Sequence, residues 1–136
     1  MSNPKTAILC VDDEAPILKV LKEQLKRCFG NQYIYELAQS AEEAWIVIDE
    51  LEQEGIQILT IVSDWLMPNV KGDEFLAEVH RRFPHVVTVM LTGQADEEAI
   101  ERAKKEANLH ACIYKPWAEE ELHQVIRTAL RDTIPQ

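Results

Sequence analysis

The sequence predicts an α/β fold, a single domain in which a parallel β-sheet carries helices on both faces. Three observations predict it: five short apolar runs, an amphipathic segment after each run, and a length of 136 residues that suits one hydrophobic core. Strict alternation of strand and helix gives a parallel sheet because each right-handed crossover returns the next strand in the same direction.

The first unit begins with the run Thr6–Val11, which is almost uninterrupted in apolar residues. A short run of this kind is typical of a strand buried on both faces of a sheet. Apolar residues then recur at spacings of three and four over 15–29, which predicts an amphipathic helix that ends at Gly30. The residues that set this period are Ile17, Leu21, Leu25 and Cys28.

The second unit has its strand over 33–38, where aromatic and branched residues favour extended backbone. Ser40 followed by Glu43 forms a capping box, so a helix is predicted to start there and to end at Gly55. Its apolar residues are Ala44, Trp45, Ile48 and Leu51.

The remaining three units repeat the pattern. A third strand over 56–62 runs into Asp64, and a helix over 75–83 follows that Pro84 cannot continue. The fourth and fifth units comprise strands over 86–91 and 111–114 and helices over 99–107 and 122–130.

The composition excludes several classes of function. With 24 acidic and 14 basic residues the net charge is -10, which disfavours direct binding to nucleic acid or to an anionic membrane surface. No apolar stretch approaches the roughly 20 residues of a membrane-spanning helix, and the N-terminus lacks the core of a signal peptide. A cytoplasmic location is therefore expected.

The chain divides into a domain over 4–131 and residues 132–136, which are predicted to be a C-terminal tail or a truncated linker. Cys10, Cys28 and Cys112 lie in apolar stretches, with neither the spacing of a zinc site nor the density of a disulfide framework. We therefore expect them to be small buried side chains.

Polar residues follow four of the five predicted strands. Asp12 and Asp13 end the first, Asp64 the third, Thr92 the fourth and Lys115 the fifth. The carboxyl ends of parallel strands meet at one edge of the sheet, where open α/β folds bind ligands. One edge is therefore predicted to collect three carboxylates, a hydroxyl and an ammonium group, which are the parts of a phosphoryl site.

The charges at this edge do not balance. Two unit charges about 4 Å apart repel by about 4 kcal/mol at an effective dielectric near 20, and Lys115 alone cannot neutralise three carboxylates. The excess calls for a hard divalent cation with oxygen ligands, which favours Mg²⁺, with Mn²⁺ as the alternative. Asp64, central among the strand ends, is the natural nucleophile because a carboxylate is already ionised at pH 7.

With these residues in place, the chain resembles the receiver domain of two-component response regulators over Lys5–Arg131. The matching motifs are Val11–Glu14 as the acidic pair, Asp64–Gly72 as the phosphoacceptor loop, Leu91–Gly93 as the switch threonine segment and Tyr114–Pro116 as the closing triplet. The spacings from Asp64 to Thr92 and to Lys115 also fit that family.

The resemblance implies a flavodoxin-like (βα)5 doubly wound sheet in the strand order 2-1-3-4-5. It implies that Asp64 accepts a phosphoryl group from a sensor histidine kinase or a phosphotransfer protein. The partners it implies downstream are an effector protein or a fused output domain, with homodimerisation on phosphorylation left open. It also implies a signalling module that promotes only its own phosphorylation and dephosphorylation, and so no enzyme in the usual sense.

The resemblance further assigns roles to the site residues. Asp13, Asp64 and the backbone carbonyl of Leu66 would bind Mg²⁺ directly, and Asp12 would act largely through water. Lys115 would pair with the phosphoryl group. The peptide bond from Lys115 to Pro116 would be cis, which fixes the direction from which the lysine approaches.

The same resemblance implies a switch. Thr92 would hydrogen-bond to the phosphoryl group, and Tyr114 would turn inward as Thr92 moves. The output surface would be the fourth helix, fifth strand and fifth helix. Leu66 and Gln94 stand at positions where the family varies and tunes the lifetime of the acyl phosphate.

Two other functions compete with this interpretation. One is a Mg²⁺-dependent phosphohydrolase with an aspartyl-phosphate intermediate, which is disfavoured because 136 residues leave no room for a cap domain and because Asp12 and Asp13 are adjacent. The other is an interaction module that works without phosphorylation, which is disfavoured because every site residue is present.

Overall fold

A computed structural model describes residues 5–94 and 97–133, which form one five-stranded parallel sheet in the order β2-β1-β3-β4-β5. The strands are β1 (Thr6–Val11), β2 (Ile34–Ala38), β3 (Gln57–Asp64), β4 (Val87–Thr92) and β5 (Ala111–Tyr114). The helices are α1 (Ala15–Phe29), α2 (Ala41–Gln53), α3 (Gly72–Arg82), α4 (Glu97–Glu106) and α5 (Glu119–Thr133). The predicted flavodoxin-like α/β fold and its strand order are confirmed.

The core forms one layer on each face of the sheet. Successive residues of a strand point to opposite faces, and in β1 this places Ala7 and Leu9 against the helices α2, α3 and α4. Ile8 and Cys10 face α1 and α5 on the other side. Because both faces are covered, β1 is buried along nearly its whole length, as its apolar run predicts.

The helix boundaries follow the predicted signals. The hydroxyl of Ser40 accepts a hydrogen bond from the Glu43 backbone amide at 3.0 Å and starts α2. The Glu43 carboxylate accepts from the backbone amide of Gln39 at 3.3 Å, one residue before the position that a capping box would use. Gly30, with a φ of 66°, ends α1 in a conformation that favours glycine.

The last helix extends beyond the predicted range 122–130 at both ends. α5 continues to Thr133 and so includes two residues of the predicted 132–136 tail. The rest of that tail, residues 134–136, lies outside the described residues, as does residue 4 at the start of the predicted domain. In the part of the chain that is described, no helix has both the length and the apolar character needed to cross a membrane.

The cysteine prediction is correct only for Cys10, which is buried in the core. Cys28 and Cys112 are each half-buried, so the expectation of three buried cysteines is wrong for these two. Cys28 lies in the last turn of α1, where its sulfur accepts a hydrogen bond from the Arg127 guanidinium at 3.2 Å. A position at the end of a helix keeps one side of the thiol near solvent.

Candidate functional site

The predicted site residues come together at the carboxyl edge of the sheet. Pairing in register places Val11 beside Ser63, so Asp12 and Asp64 follow at the same level on neighbouring strands. Thr92 is the last residue of β4 and pairs with Tyr114, the last residue of β5. β2 is the outer strand next to β1, and its last residue, Ala38, brings no polar side chain to this edge.

Asp12, Asp13 and Asp64 each place a carboxylate oxygen within 4.8 Å of the others. Asp12 is fully buried and Asp64 is 5% exposed, whereas Asp13 faces solvent. The buried Asp12 is fixed by the backbone amide of Glu14, which donates to its Oδ1 at 2.9 Å. The site thus has two oxygen donors anchored in the sheet and one at the open side.

Lys115 joins two of these carboxylates. Its Nζ lies 2.9 Å from Asp12 Oδ2 and 3.1 Å from Asp64 Oδ1. The peptide bond from Lys115 to Pro116 is cis, and the Lys115 backbone amide donates to the Thr92 carbonyl at 2.8 Å. The Lys115 side chain therefore extends from the end of β5 toward the ends of β3 and β1, where its ammonium contacts Asp64 and Asp12.

The electrostatics match the predicted excess of negative charge. Burial, followed by the neighbouring Asp12 carboxylate, raises the pKa of Asp64 to about 6 in spite of the hydrogen bond from Lys115. Partial burial lowers the pKa of Lys115, but its hydrogen bonds to Asp12 and Asp64 outweigh that effect and leave the pKa raised. Asp64 therefore takes up a proton more readily than an ordinary aspartate, while Lys115 stays charged.

The loop after Asp64 is held by backbone contacts to its neighbours. Trp65 donates its backbone amide to the Leu91 carbonyl at 2.8 Å and accepts from the Gly72 amide at 2.7 Å. A Cβ added at Gly72 would lie 2.1 Å from the Asp64 carbonyl oxygen, so this approach requires glycine. The start of α3 is therefore pressed directly against the candidate nucleophile's backbone.

A cleft opens above the carboxylates. It is lined by Asp13, Glu14, Asp64, Lys115 and Thr92, and also by the segments 65–68 and 93–94. Leu66 lines it with a side chain that is 53% exposed. An open cleft with oxygen donors at its base suits a hydrated Mg²⁺ ion, because this ion keeps waters and prefers oxygen ligands.

The hydroxyl of Thr92 is held by the loop that follows β4. Its Oγ1 donates to the Gln94 carbonyl at 2.6 Å and accepts from the Gln94 amide at 3.0 Å. The phenol of Tyr114, at the end of β5, stands out from the surface with the residue 47% exposed. Both switch residues of the prediction thus lie beside the site, with Thr92 turned to its own loop.

Asp73 is part of this region and was not singled out from the sequence. Its Oδ1 accepts a hydrogen bond from the indole Nε1 of Trp65 at 3.0 Å. Its Oδ2 lies 3.5 Å from the Arg102 guanidinium of α4. The Arg102 side chain is largely exposed, and its guanidinium end reaches Asp73 on α3.

Comparison with known proteins gives a consistent picture. Residues 8–127 match the family model described as the response regulator receiver domain. The hydrogenase transcriptional regulatory protein HoxA of Cupriavidus necator is 32% identical over 96% of this chain, which spans 25% of that protein. The chain thus covers about a quarter of the length of this relative. A chemotaxis protein CheY homolog of Campylobacter jejuni is 26% identical over 93% of this chain and 91% of its own length.

Structures of similar fold lead to the same family. A signal receiver domain of an HD domain-containing protein from Pseudomonas fluorescens Pf-5 superposes with a TM-score of 0.83 at 26% identity, covering 98% of this chain and 91% of that one. The beryllofluoride-activated NtrC4 receiver domain dimer gives a TM-score of 0.80 at 25% identity, with 96% of this chain and 99% of that chain covered.

Proposed function

Because the chain belongs to the response regulator receiver domain family, we propose that Asp64 accepts a phosphoryl group and that the resulting acyl phosphate switches the protein between two states. The observation that carries this proposal is the bridge from Lys115 to both Asp64 and the buried Asp12 at the base of an open cleft. A receiver domain is a signalling module, and the acceptor chemistry serves the switch.

The side chains of this protein that would take part in the acceptor step lie in the cleft. Lys115 holds Oδ1 of Asp64, so we assign Oδ2 as the oxygen that attacks phosphorus. The bond from phosphorus to the donor's histidine nitrogen breaks as the acyl phosphate forms, and the histidine, which carries a proton on its other ring nitrogen, leaves as neutral imidazole. The Lys115 ammonium then offsets charge on the phosphoryl oxygens.

The carboxylates would hold the divalent cation on which this chemistry depends. Asp13, Asp64 and the backbone carbonyl of Leu66 would bind Mg²⁺, or Mn²⁺ in its place, and Asp12 would act through water. When bound, such an ion neutralises negative charge on the carboxylates and the phosphoryl oxygens. The donor set supports the assignment because, among the described residues, Lys115 supplies one positive charge beside three carboxylates, which leaves two negative charges in excess.

The switch would act through Thr92 and Tyr114. Phosphoryl oxygens in the cleft offer the Thr92 hydroxyl a new acceptor, and taking it requires release of the hydrogen bond to Gln94. Movement of Thr92 would leave room for Tyr114 to turn inward from its exposed position. Only the phosphorylated state makes the new contact, and this difference shifts the equilibrium between the states.

The partners follow from the same proposal. A sensor histidine kinase or a phosphotransfer protein would supply the phosphoryl group in the cytoplasm, and the domain would comprise residues 4–131. The face formed by α4, β5 and α5 would contact an effector protein or a fused output domain. The receiver domain of NtrC4 is described as a beryllofluoride-activated dimer, and a homodimer on phosphorylation is proposed here by analogy.

Intact-mass spectrometry tests the proposal. The wild-type chain incubated with acetyl phosphate and Mg²⁺ is expected to gain about 80 Da, the mass of one phosphoryl group. Asp64→Asn is expected to gain nothing, whereas Asp49→Asn, an exposed carboxylate on α2, should react like the wild type. A wild-type chain that stays unmodified, or an Asp64→Asn variant that is modified equally, would contradict the proposal.

The same incubation separates a switch from a phosphohydrolase. A switch carries a stoichiometric phosphoryl group and consumes acetyl phosphate only as its own acyl phosphate decays. Rapid release of inorganic phosphate from several unrelated phosphate esters, lost in Asp64→Asn, would favour the hydrolase instead.

A further inference from the structure

The carboxylate of Asp73 joins two elements that border the cleft. One oxygen holds the indole of Trp65, the residue directly after Asp64, at 3.0 Å. The other lies 3.5 Å from Arg102 in the middle of α4. A single side chain on α3 thus contacts both the loop that carries the candidate phosphoacceptor and a helix of the proposed output face.

The hydrogen bond between Trp65 and Asp73 is the more rigid of the two contacts. Asp73 is 5% exposed and Trp65 is 6% exposed, so their hydrogen bond lies inside the protein. Breaking it would leave a buried indole N–H and a buried carboxylate oxygen without their mutual partner, which is costly. Trp65 is also fixed through its backbone to Leu91 and Gly72. The loop from Asp64 to Gly72, here called the acceptor loop, and the start of α3 therefore behave as one unit.

The contact between Arg102 and Asp73 is the weaker of the two contacts. The arginine side chain is 57% exposed, and its 3.5 Å separation from Asp73 is longer than the separation of a good charge-assisted hydrogen bond. A long contact of this kind, in which the arginine is exposed, contributes little and can break when either helix shifts. α4 is therefore tied to the acceptor loop by a contact that a modest displacement would release.

α4 has a second connection to the cleft at its N-terminal side. The segment that leads from β4 to α4 begins at Thr92, whose hydroxyl both donates to and accepts from the backbone of Gln94. When Thr92 turns to a phosphoryl group, its hydrogen bond to the Gln94 carbonyl must break, and this restraint on Gln94 is lost. The contact between Arg102 and Asp73 is the other restraint on α4, and the switch must overcome it as well.

We propose that Asp73 is a positioning residue that ties α4 to the acceptor loop in the unphosphorylated state and so opposes the switch. The inference rests on the proposed function, because it assumes that Asp64 binds the phosphoryl group. Since the tether stabilises the state in which Thr92 bonds to Gln94, removing it favours the other state and tightens binding of a phosphoryl group.

Titration with beryllofluoride and Mg²⁺, followed by calorimetry, tests the tether. Arg102→Ala is expected to lower the apparent dissociation constant about two- to fivefold, the range that an exposed ion pair spans. Asp73→Asn keeps an oxygen that can accept from Trp65 but loses the charge that attracts Arg102, so the same decrease is expected. The double variant should bind beryllofluoride no more tightly than either single variant, because both substitutions remove the same interaction.

Two further variants separate a tether from a general effect of charge. Lys104→Ala removes a cation from the same helix whose partner, Glu101, also lies in α4, so the dissociation constant should stay at the wild-type value. Arg102→Lys keeps the charge near Asp73 and should restore most of the wild-type value. If Arg102 and Asp73 only stabilised the fold, their loss would weaken the binding of beryllofluoride or leave it unchanged. The loss of a tether that opposes the switch would instead strengthen this binding.

The outcomes can be told apart. If the wild type binds beryllofluoride but Arg102→Ala matches Lys104→Ala, the tether is wrong and the proposed function stands. Full additivity of Asp73→Asn and Arg102→Ala would also overturn it, because the two residues would not act through each other. A wild type that does not bind beryllofluoride overturns the proposed function and the tether together. Arg102 is exposed, so its alanine variant carries the test even where Asp73→Asn fails to fold.

Discussion

Gly72 meets the backbone of Asp64 so closely that a Cβ at position 72 would lie 2.1 Å from the Asp64 carbonyl oxygen. The three atoms nearest to such a Cβ all belong to the backbone of Asp64 and Trp65, and the Cα of Trp65 would lie 2.8 Å away. No side chain can rotate away to relieve it. The geometry of the acceptor loop therefore depends on the absence of a side chain at this position.

Gly72→Ala is expected to lower the free energy of unfolding by about 2–3 kcal/mol, because either α3 or the loop after Asp64 must move. Gly93→Ala is the matched control, since a Cβ at that position has no atom within 4 Å and the change should stay within about 0.5 kcal/mol. Urea unfolding followed by circular dichroism measures both. Equal losses in the two variants would contradict the predicted clash.

Asp64→Asn is expected to stabilise the metal-free protein at pH 7.5 by about 1–3 kcal/mol. Burial and Asp12 raise the pKa of Asp64 to about 6, so the folded state takes up this proton at a higher pH than the unfolded state. The wild type therefore gains stability as the pH falls from about 6 toward 4, and the advantage of the variant disappears there. Urea unfolding across this range, with Asp49→Asn as the control, would refute the prediction if Asp64→Asn were less stable than the wild type at pH 7.5.

Mg²⁺ is expected to raise the melting temperature of the wild type more than sodium chloride of equal ionic strength does. At ten times its dissociation constant the ion should stabilise the protein by about 1.4 kcal/mol. Asp13 is exposed, so Asp13→Asn should leave the metal-free stability within about 0.5 kcal/mol while removing most of the response to Mg²⁺. A full response in Asp13→Asn would show that the ion binds elsewhere.

The buried hydroxyls of Thr60 and Thr88 offer a matched pair in the core. Among the described residues, the Oγ1 of Thr60 is buried with no hydrogen-bond partner, whereas Thr88 donates to the Ala107 carbonyl at 3.1 Å. Thr60→Val is expected to raise the free energy of unfolding by about 1 kcal/mol, and Thr88→Val to lower it by about 1–2 kcal/mol. Chemical denaturation measures both, and the prediction fails if the two changes have the same sign.

The sequence was sufficient to predict the fold and to predict that the strand ends with polar residues meet at one edge of the sheet, for a definite reason. The runs Thr6–Val11 and Ala111–Tyr114 appear as β1 and β5 with unchanged bounds, because turn or charged residues flank each run closely. Once the order of the strands is known, parallel topology brings Asp12, Asp64 and Lys115 to one edge. Residues at strand ends can therefore be located from a one-dimensional pattern.

Contacts made across loops could not be predicted in this way. The hydrogen bond from Trp65 to Asp73 depends on how the loop before Gly72 turns back, and no periodicity in the sequence describes that path. Cys28 fits the helical period of α1, but the packing of α5 beside it decides how much of the thiol is covered. Such details depend on three-dimensional geometry that spacing alone does not contain.

The contact between Lys115 and Asp12 has a consequence for the function of misfolded molecules of the protein. The two residues lie 103 positions apart in the chain, so they meet only when β1 and the segment after β5 belong to the same assembled sheet. A denatured molecule still carries Asp64, but Lys115 no longer lies beside that carboxylate, where the proposed function needs it to offset charge on a phosphoryl group. Under the proposed function, misfolded molecules would remain silent, and the strength of a signal would report the number of native molecules.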